Sequence, residues 1–232
     1  MSPTDNFFVY IILFYPIFLF SLTIHEYAHA ITANWAGDLT ATYQDRLTLN
    51  PIHHIDLFGS VIFPLLMITF GGGVFFGWAR PVPVNEAHFK DKTWNVLISF
   101  AGPFSNFLLL MFGGFFFSFL CHFYLYGVDA GWWVYSSQFQ NTFGEFIFVF
   151  LFLNVILMLF NLLPIPPLDG SHIFYHYFIR GRGKYYSFWE NYQRFGLMVM
   201  ILVVALTPFF NVVYLMFQLV INIFQFPFTV TI

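Results

Sequence analysis

Residues 25–29 read His-Glu-Tyr-Ala-His and close a hydrophobic stretch that runs from Asn6 to Ile24. In a helix, positions i and i+4 share one face, so His25 and His29 can hold a single zinc ion. Glu26 beside them can serve as the general base of a hydrolase. Three ionisable groups in an apolar helix are costly without a partner, so the cluster reads as a metal site rather than as a polar helix end. Two histidines leave a catalytic zinc one protein ligand short, and an Asp oxygen can complete such a site. Asp169 is the candidate: it is the sole acid between Glu145 and Glu190 and ends the segment Asn-Leu-Leu-Pro-Ile-Pro-Pro-Leu-Asp169-Gly170. Its three prolines break the preceding apolar helix, and Gly170 permits an unusual backbone next to the acid.

These residues sit in a chain with almost no polar surface. Of 232 residues, 59% are hydrophobic, 24% aromatic and only 8% charged, with a mean hydropathy of +0.74. A soluble domain carries about 25% charged residues, so a water-soluble globule and a disordered chain are both excluded. The net charge of −3 gives no footing for nucleic acid. One cysteine, Cys121, rules out an intrachain disulfide and a cysteine metal cluster. The whole chain, 1–232, reads as one membrane-embedded domain, with a core over 7–175 and a C-terminal helix or hairpin over 195–228. The expected fold is an all-α polytopic membrane protein with four or more transmembrane helices, a re-entrant segment and a short β-hairpin on the cytosolic side.

Uncharged stretches run from Asn6 to Ile24, Leu57 to Ala79, Thr93 to Cys121, Phe146 to Leu168 and Phe195 to Ile232. The first lacks a preceding Lys or Arg and a small-residue cleavage site, so it reads as a retained helix rather than a signal peptide. The second is interrupted by Pro64 and by Gly71, Gly72 and Gly73, leaving too few helical residues for a bilayer core about 30 Å thick. The eight Lys and Arg residues decide its topology. If it crossed once, Arg46 would lie opposite Arg80, Lys90 and Lys92; if it is re-entrant, all eight fall on one side, which the positive-inside rule makes cytoplasmic. The re-entrant reading puts the N-terminus outside, α-helices outward over Trp94–Cys121 and inward from Glu145, and the metal residues at the cytoplasmic end. The Thr-rich alternation of Leu39–Asn50 suggests the β-hairpin. Trp132, Trp133 and Tyr135 fit an interfacial aromatic belt.

The pairing of HEYAH with NLLPIPPLDG resembles the site-2 protease family of intramembrane zinc metalloproteases. LTLNPIHHID at Leu47–Asp56, GWARPVPVN at Gly77–Asn85 and ISFAGPFSN at Ile98–Asn106 add to the likeness, which covers roughly His25 to Ser171. The resemblance implies one zinc held by His25, His29 and Asp169, with Glu26 as catalytic acid/base. It also implies an active site within the membrane near the cytosolic face, acting on transmembrane segments of other proteins. The PDZ or CBS domains of larger members have no counterpart in this chain.

Glu26 would then take a proton from the attacking water and pass it to the leaving amine. Asn106 and His54 are candidate hydrogen-bond donors to the scissile carbonyl or the attacking water. His53 and His88 read as surface residues; His172, three residues after Asp169, could approach the metal, but a role without the metal is the favoured reading; His122 and His176 carry no signal. The substrate helix must unwind, and Leu57–Ala79 or Leu39–Asn50 could hold it extended by strand addition. The competing readings are a catalytically inactive zinc-binding membrane protein and a metal transporter. Intact Glu26 argues against the first, and the absence of further acids or histidines in the Thr93–Cys121 and Phe146–Leu168 stretches argues against the second.

Overall fold

The computed structural model describes residues 14–69, 77–126 and 137–224, and among them every regular element is helical. Helix α1 spans Tyr15–Ala36 and carries Pro16 in its first turn, where a missing N–H costs nothing. Phe18, Leu22, His25, Glu26, His29 and Ala33 recur at spacings of one, three and four residues and are all buried, forming one inward stripe.

The pair of helical turns α2 (Phe63–Thr69) and the π-turn before it (Leu57–Ile62) follow a short loop. The long helices α3 (Trp94–Tyr126) and α4 (Ser137–Asn161) come next, and α3 packs between α1 and α4. The Phe-rich composition is spent at these contacts. Phe117 of α3 meets Phe146 and Phe150 of α4 edge to face, pairs that add about 0.5–1.5 kcal/mol each beyond their buried area. The opposite stripe of α3 is apolar too: Leu108, Phe112, Phe115 and Phe119 are all more than half exposed. Trp94–Phe119 is the one helix among the described residues long and apolar enough to cross a membrane.

After α4 come α5 (Asp169–Phe174), α6 (Tyr186–Arg194), α7 (Gly196–Leu206) and α8 (Phe209–Ile223). The C-terminal stretch is therefore two helices. The break falls at Thr207, which is extended (φ −106, ψ 158) because the ring of Pro208 disfavours helical backbone before it. Helix α8 returns to α4, with Phe217 edge-on to Phe148 and Phe152.

Residues on the two sides of 70–76 meet. The Trp78 amide donates to Gly59 O (3.2 Å), the Ser60 hydroxyl donates to Trp78 O (2.8 Å), and the Arg80 amide donates to His54 O (2.9 Å). Residues 54–60 and 78–80 thus lie side by side. From there a strap without regular structure, 77–85, runs past α1, where its Val82 amide meets Glu26.

The expected β-hairpin over Leu39–Asn50 is not formed. Thr40–Tyr43 is a single helical turn, followed by bends. Local hydrogen bonds outcompete the strand: Asp38 Oδ1 accepts from the Thr40 amide (3.0 Å) and from its hydroxyl, and the amides of Tyr43 and Gln44 reach back to Leu39 and Thr40. The expected aromatic belt at Trp132, Trp133 and Tyr135 lies outside the described residues.

Candidate metal centre and active site

His25 and His29 project from adjacent turns of α1 onto the α3 side, where a glycine admits them. A β-carbon on Gly102 would lie 2.3 Å from His29 Nε2 and 2.6 Å from His25 Nε2, far inside contact distance. Asp169 arrives from the other end of the chain. The Pro-broken loop after α4 folds back, and α5 starts at Asp169 within reach of Leu162 O; a β-carbon on Gly170 would sit 2.2 Å from that oxygen. Two segments 140 residues apart in sequence thus meet through two missing side chains.

The three donor atoms form a near-equilateral triangle. His25 Nε2 and His29 Nε2 are 3.1 Å apart, and Asp169 Oδ2 lies 3.1 Å from the first and 3.2 Å from the second. A tetrahedral zinc with bonds of about 2.0 Å separates its donors by about 3.3 Å, so the triangle has the size of one face of such a site. Three electron-rich atoms this close repel one another unless a cation or shared protons lie among them. His29 Nδ1–H donates to Ile98 O (2.6 Å), which leaves Nε2 free to ligate.

Glu26 is buried, and its Oε2 accepts from the Val82 amide of the strap (3.0 Å). With His29, Asp169, Val82, Val84 and Ile98 it lines a cleft of about 300 Å³. His172, for which the sequence favoured a role away from the metal, is exposed and also lines the cleft, outside the group of His25, His29 and Asp169.

The strap is fastened on both sides of Glu26. Arg46, only 5% exposed, donates from Nη2 to the Arg80 and Pro81 carbonyls. At the far end, fully buried Asp38 accepts from the Asn85 amide (2.7 Å) and from His88 Nδ1 (3.1 Å). Burial alone would raise the Asp38 pKa, but the amide of Asn85, the Thr40 hydroxyl and His88 outweigh it and hold the carboxyl below its ordinary value.

The two secondary candidates lie elsewhere than expected. Asn106 is wholly buried and its amide is committed: Oδ1 accepts from His25 Nδ1 (2.6 Å) and Nδ2 donates to Asn154 Oδ1 (3.0 Å). It supports a metal-site histidine from behind and is not among the residues lining the cleft. His54, 2% exposed, donates from Nε2 to Thr48 O (2.8 Å), and burial lowers its pKa. It stands behind the strap, whose Arg80 amide its carbonyl accepts, and it too is absent from the cleft wall. Arg46, Asp38 and Asn154 were not singled out from sequence as site residues. The available signal was an Asn within the apolar run Phe146–Leu159; nothing local marked Arg46 or Asp38 for burial.

The chain matches the family described as "Peptidase family M50" over residues 13–206. It is 47% identical over 154 residues to "Putative zinc metalloprotease YwhC" of Bacillus subtilis (strain 168), covering 66% of this chain and 63% of that one. It is 32% identical over 152 residues to "Putative zinc metalloprotease Rip2" of Mycolicibacterium smegmatis (strain ATCC 700084 / mc(2)155), covering 66% of this chain and 52% of the relative. The protein of that name in Mycobacterium tuberculosis (strain ATCC 25618 / H37Rv) is 30% identical over 152 residues, with the same shares. The chain thus spans less than two thirds of the length of these relatives. No solved structure matches it.

Proposed function

The chain belongs to peptidase family M50, and from that premise we propose that it is a zinc endopeptidase that hydrolyses a peptide bond in or near a transmembrane segment of other membrane proteins. The observation that carries this reading is the triangle of His25 Nε2, His29 Nε2 and Asp169 Oδ2 at a cleft that also holds the Glu26 carboxylate. These three residues would hold the metal. When bound there, zinc supplies Lewis acidity, lowering the pKa of a water and polarising the scissile carbonyl. Glu26 takes the proton from the attacking water and delivers it to the amine as it leaves. The Val82 amide, donating to one Glu26 oxygen, keeps the carboxylate aimed at the cleft.

The substrate segment must be extended before a peptide bond can reach this cleft, and the strap is the element suited to hold it. Arg80 and Val82 each precede a proline, which biases them to extended backbone. Pro81 and Pro83 bring no amide, so Val82 and Val84 are the donors of this run. The Val82 amide is engaged by Glu26, and Val84 lines the cleft, where strand addition can use it. This assigns strand addition to the strap rather than to Leu39–Asn50, which is helical and bent.

In the same reading the protein is an integral, multi-pass membrane protein whose partners are lipid and transmembrane-segment substrates. Four or more spans, among them α1, α3, α4 and the C-terminal helices, carry the chain across. The N-terminus lies outside, and Leu57–Ala79 dips into the membrane and returns. All eight Lys and Arg residues then face the cytoplasm, with the active site at that face. Co-expression with a panel of single-span membrane proteins, comparing wild type with Glu26→Gln by mass spectrometry, tests the activity. Glu26-dependent products cut within or beside a transmembrane helix are expected; products confined to soluble domains, or identical in the variant, contradict it.

A further inference from the structure

Behind His25, away from the cleft, three fully buried polar side chains from three helices form a chain of hydrogen bonds in an apolar core: Ser21 of α1, Asn106 of α3 and Asn154 of α4. We propose that Asn154 is a positioning residue that fixes the tautomer of His25 through Asn106; this rests on the zinc reading above.

The chain of bonds has a fixed end. Phe150 O, a helix carbonyl, can only accept, and it lies 2.8 Å from Asn154 Nδ2, which also reaches Ser21 Oγ at 3.1 Å. Turning the Asn154 amide over would set two carbonyl oxygens against each other, so its NH2 group stays on that side. Asn154 Oδ1 therefore faces Asn106, and Asn106 must answer with its NH2 group, at 3.0 Å from that oxygen and 3.5 Å from Ser21 O. The Asn106 oxygen is then left for His25, 2.6 Å from Nδ1. His25 must carry its proton on Nδ1, and Nε2 presents a lone pair toward Asp169 and His29. His29 obtains the same tautomer directly from Ile98 O. Each histidine is thus keyed to a backbone carbonyl, one at first hand and one through two asparagines. Water inside a dry core could not do this, because an asparagine freed to turn over would present its NH2 group to Nδ1 and favour the tautomer that cannot ligate through Nε2.

The test measures zinc affinity by chelator competition in purified protein, with Asn154→Leu placed in two backgrounds. In the wild-type background, loss of such a supporting group is expected to weaken zinc binding about 10–100-fold. In an Asn106→Asp background both oxygens at position 106 accept from His25 whichever way the group turns, so Asn154→Leu should cost no more than about twofold. Equal weakening in both backgrounds would mean that Asn154 serves packing alone, and no weakening in either would remove it from the site; either result overturns the proposal. His25→Ala is the control for the underlying reading: if it binds zinc like wild type, the metal assignment fails first. Should Asn154→Leu not fold, nitrogen-15 spectra of histidine-labelled, zinc-stripped wild type decide: His25 protonated on Nδ1 supports the relay, and protonation on Nε2 overturns it.

Discussion

His25, Glu26, His29 and Asp169 were all legible from residue type and spacing, because the i,i+4 rule and the Pro-bounded Asp are local patterns. What sequence could not supply was the shell around them. Asn106 stood out as a polar residue in an apolar helix, but its role depends on which way its amide turns, and that is set by Asn154, 48 residues on. Gly102 is a second case: one glycine among 16, given meaning only by the imidazoles packed against it. Gly102→Ala is expected to weaken zinc binding at least as much as loss of a supporting hydrogen bond, about 10-fold or more, while the helices persist by circular dichroism. Wild-type zinc affinity in that variant would show that α3 does not press on the metal site.

At the scale of elements, the strap is the feature the sequence hid. Its motif was visible as GWARPVPVN, yet nothing local says that Arg46 and Asp38 fasten it over Glu26. The failed hairpin has the same root, since the Thr alternation was real but Asp38 captures the first turn and serves the strap as well. Removing a buried acceptor of several donors costs about 1–3 kcal/mol, so Asp38→Ala should lower the unfolding midpoint and loosen the strap. The pH dependence follows from sign. A carboxyl held below its ordinary value of 3.8 contributes its full stabilisation above that pH and loses it as pH falls through the lower, folded-state value. The gap in melting temperature between wild type and Asp38→Asn should therefore be constant at neutral pH and shrink below about pH 4; a gap independent of pH would contradict an ionised Asp38. For substrate, Val84→Pro deletes one amide at the cleft and should reduce kcat/KM by about 10-fold, the worth of one hydrogen bond to a bound strand, with zinc content unchanged. Unaltered kinetics would take Val84 out of substrate binding.

For the whole molecule, one constraint ties topology to chemistry. In the proposed topology, the meeting of Asp169 with His25 and His29 requires the C-terminal half of α1 and the end of α4 to lie at one depth in the bilayer. If α1, α3 and α4 each cross about 30 Å, as proposed, that holds only if the chain between α1 and α3 returns to the side it left. The bonds between Gly59 and Trp78 and between His54 and Arg80 bring its two ends together, and the re-entrant topology proposed from the Lys and Arg distribution needs that closure. Exposed positions on either side of the turn supply the check: in a Cys121→Ser background, Gln44→Cys and Lys92→Cys should both react with an impermeant thiol reagent from the cytoplasmic side, and labelling from opposite sides would contradict the re-entrant fold.

The most direct measurement joins metal and chemistry in one variant. Purified Glu26→Gln should retain about one zinc per chain, because the three donors are untouched, while its single-turnover cleavage of a substrate that wild type cuts falls by a factor on the order of 10³ or more. Zinc retained with near-normal cleavage would contradict Glu26 as the proton carrier and, with it, the hydrolytic mechanism built on this site.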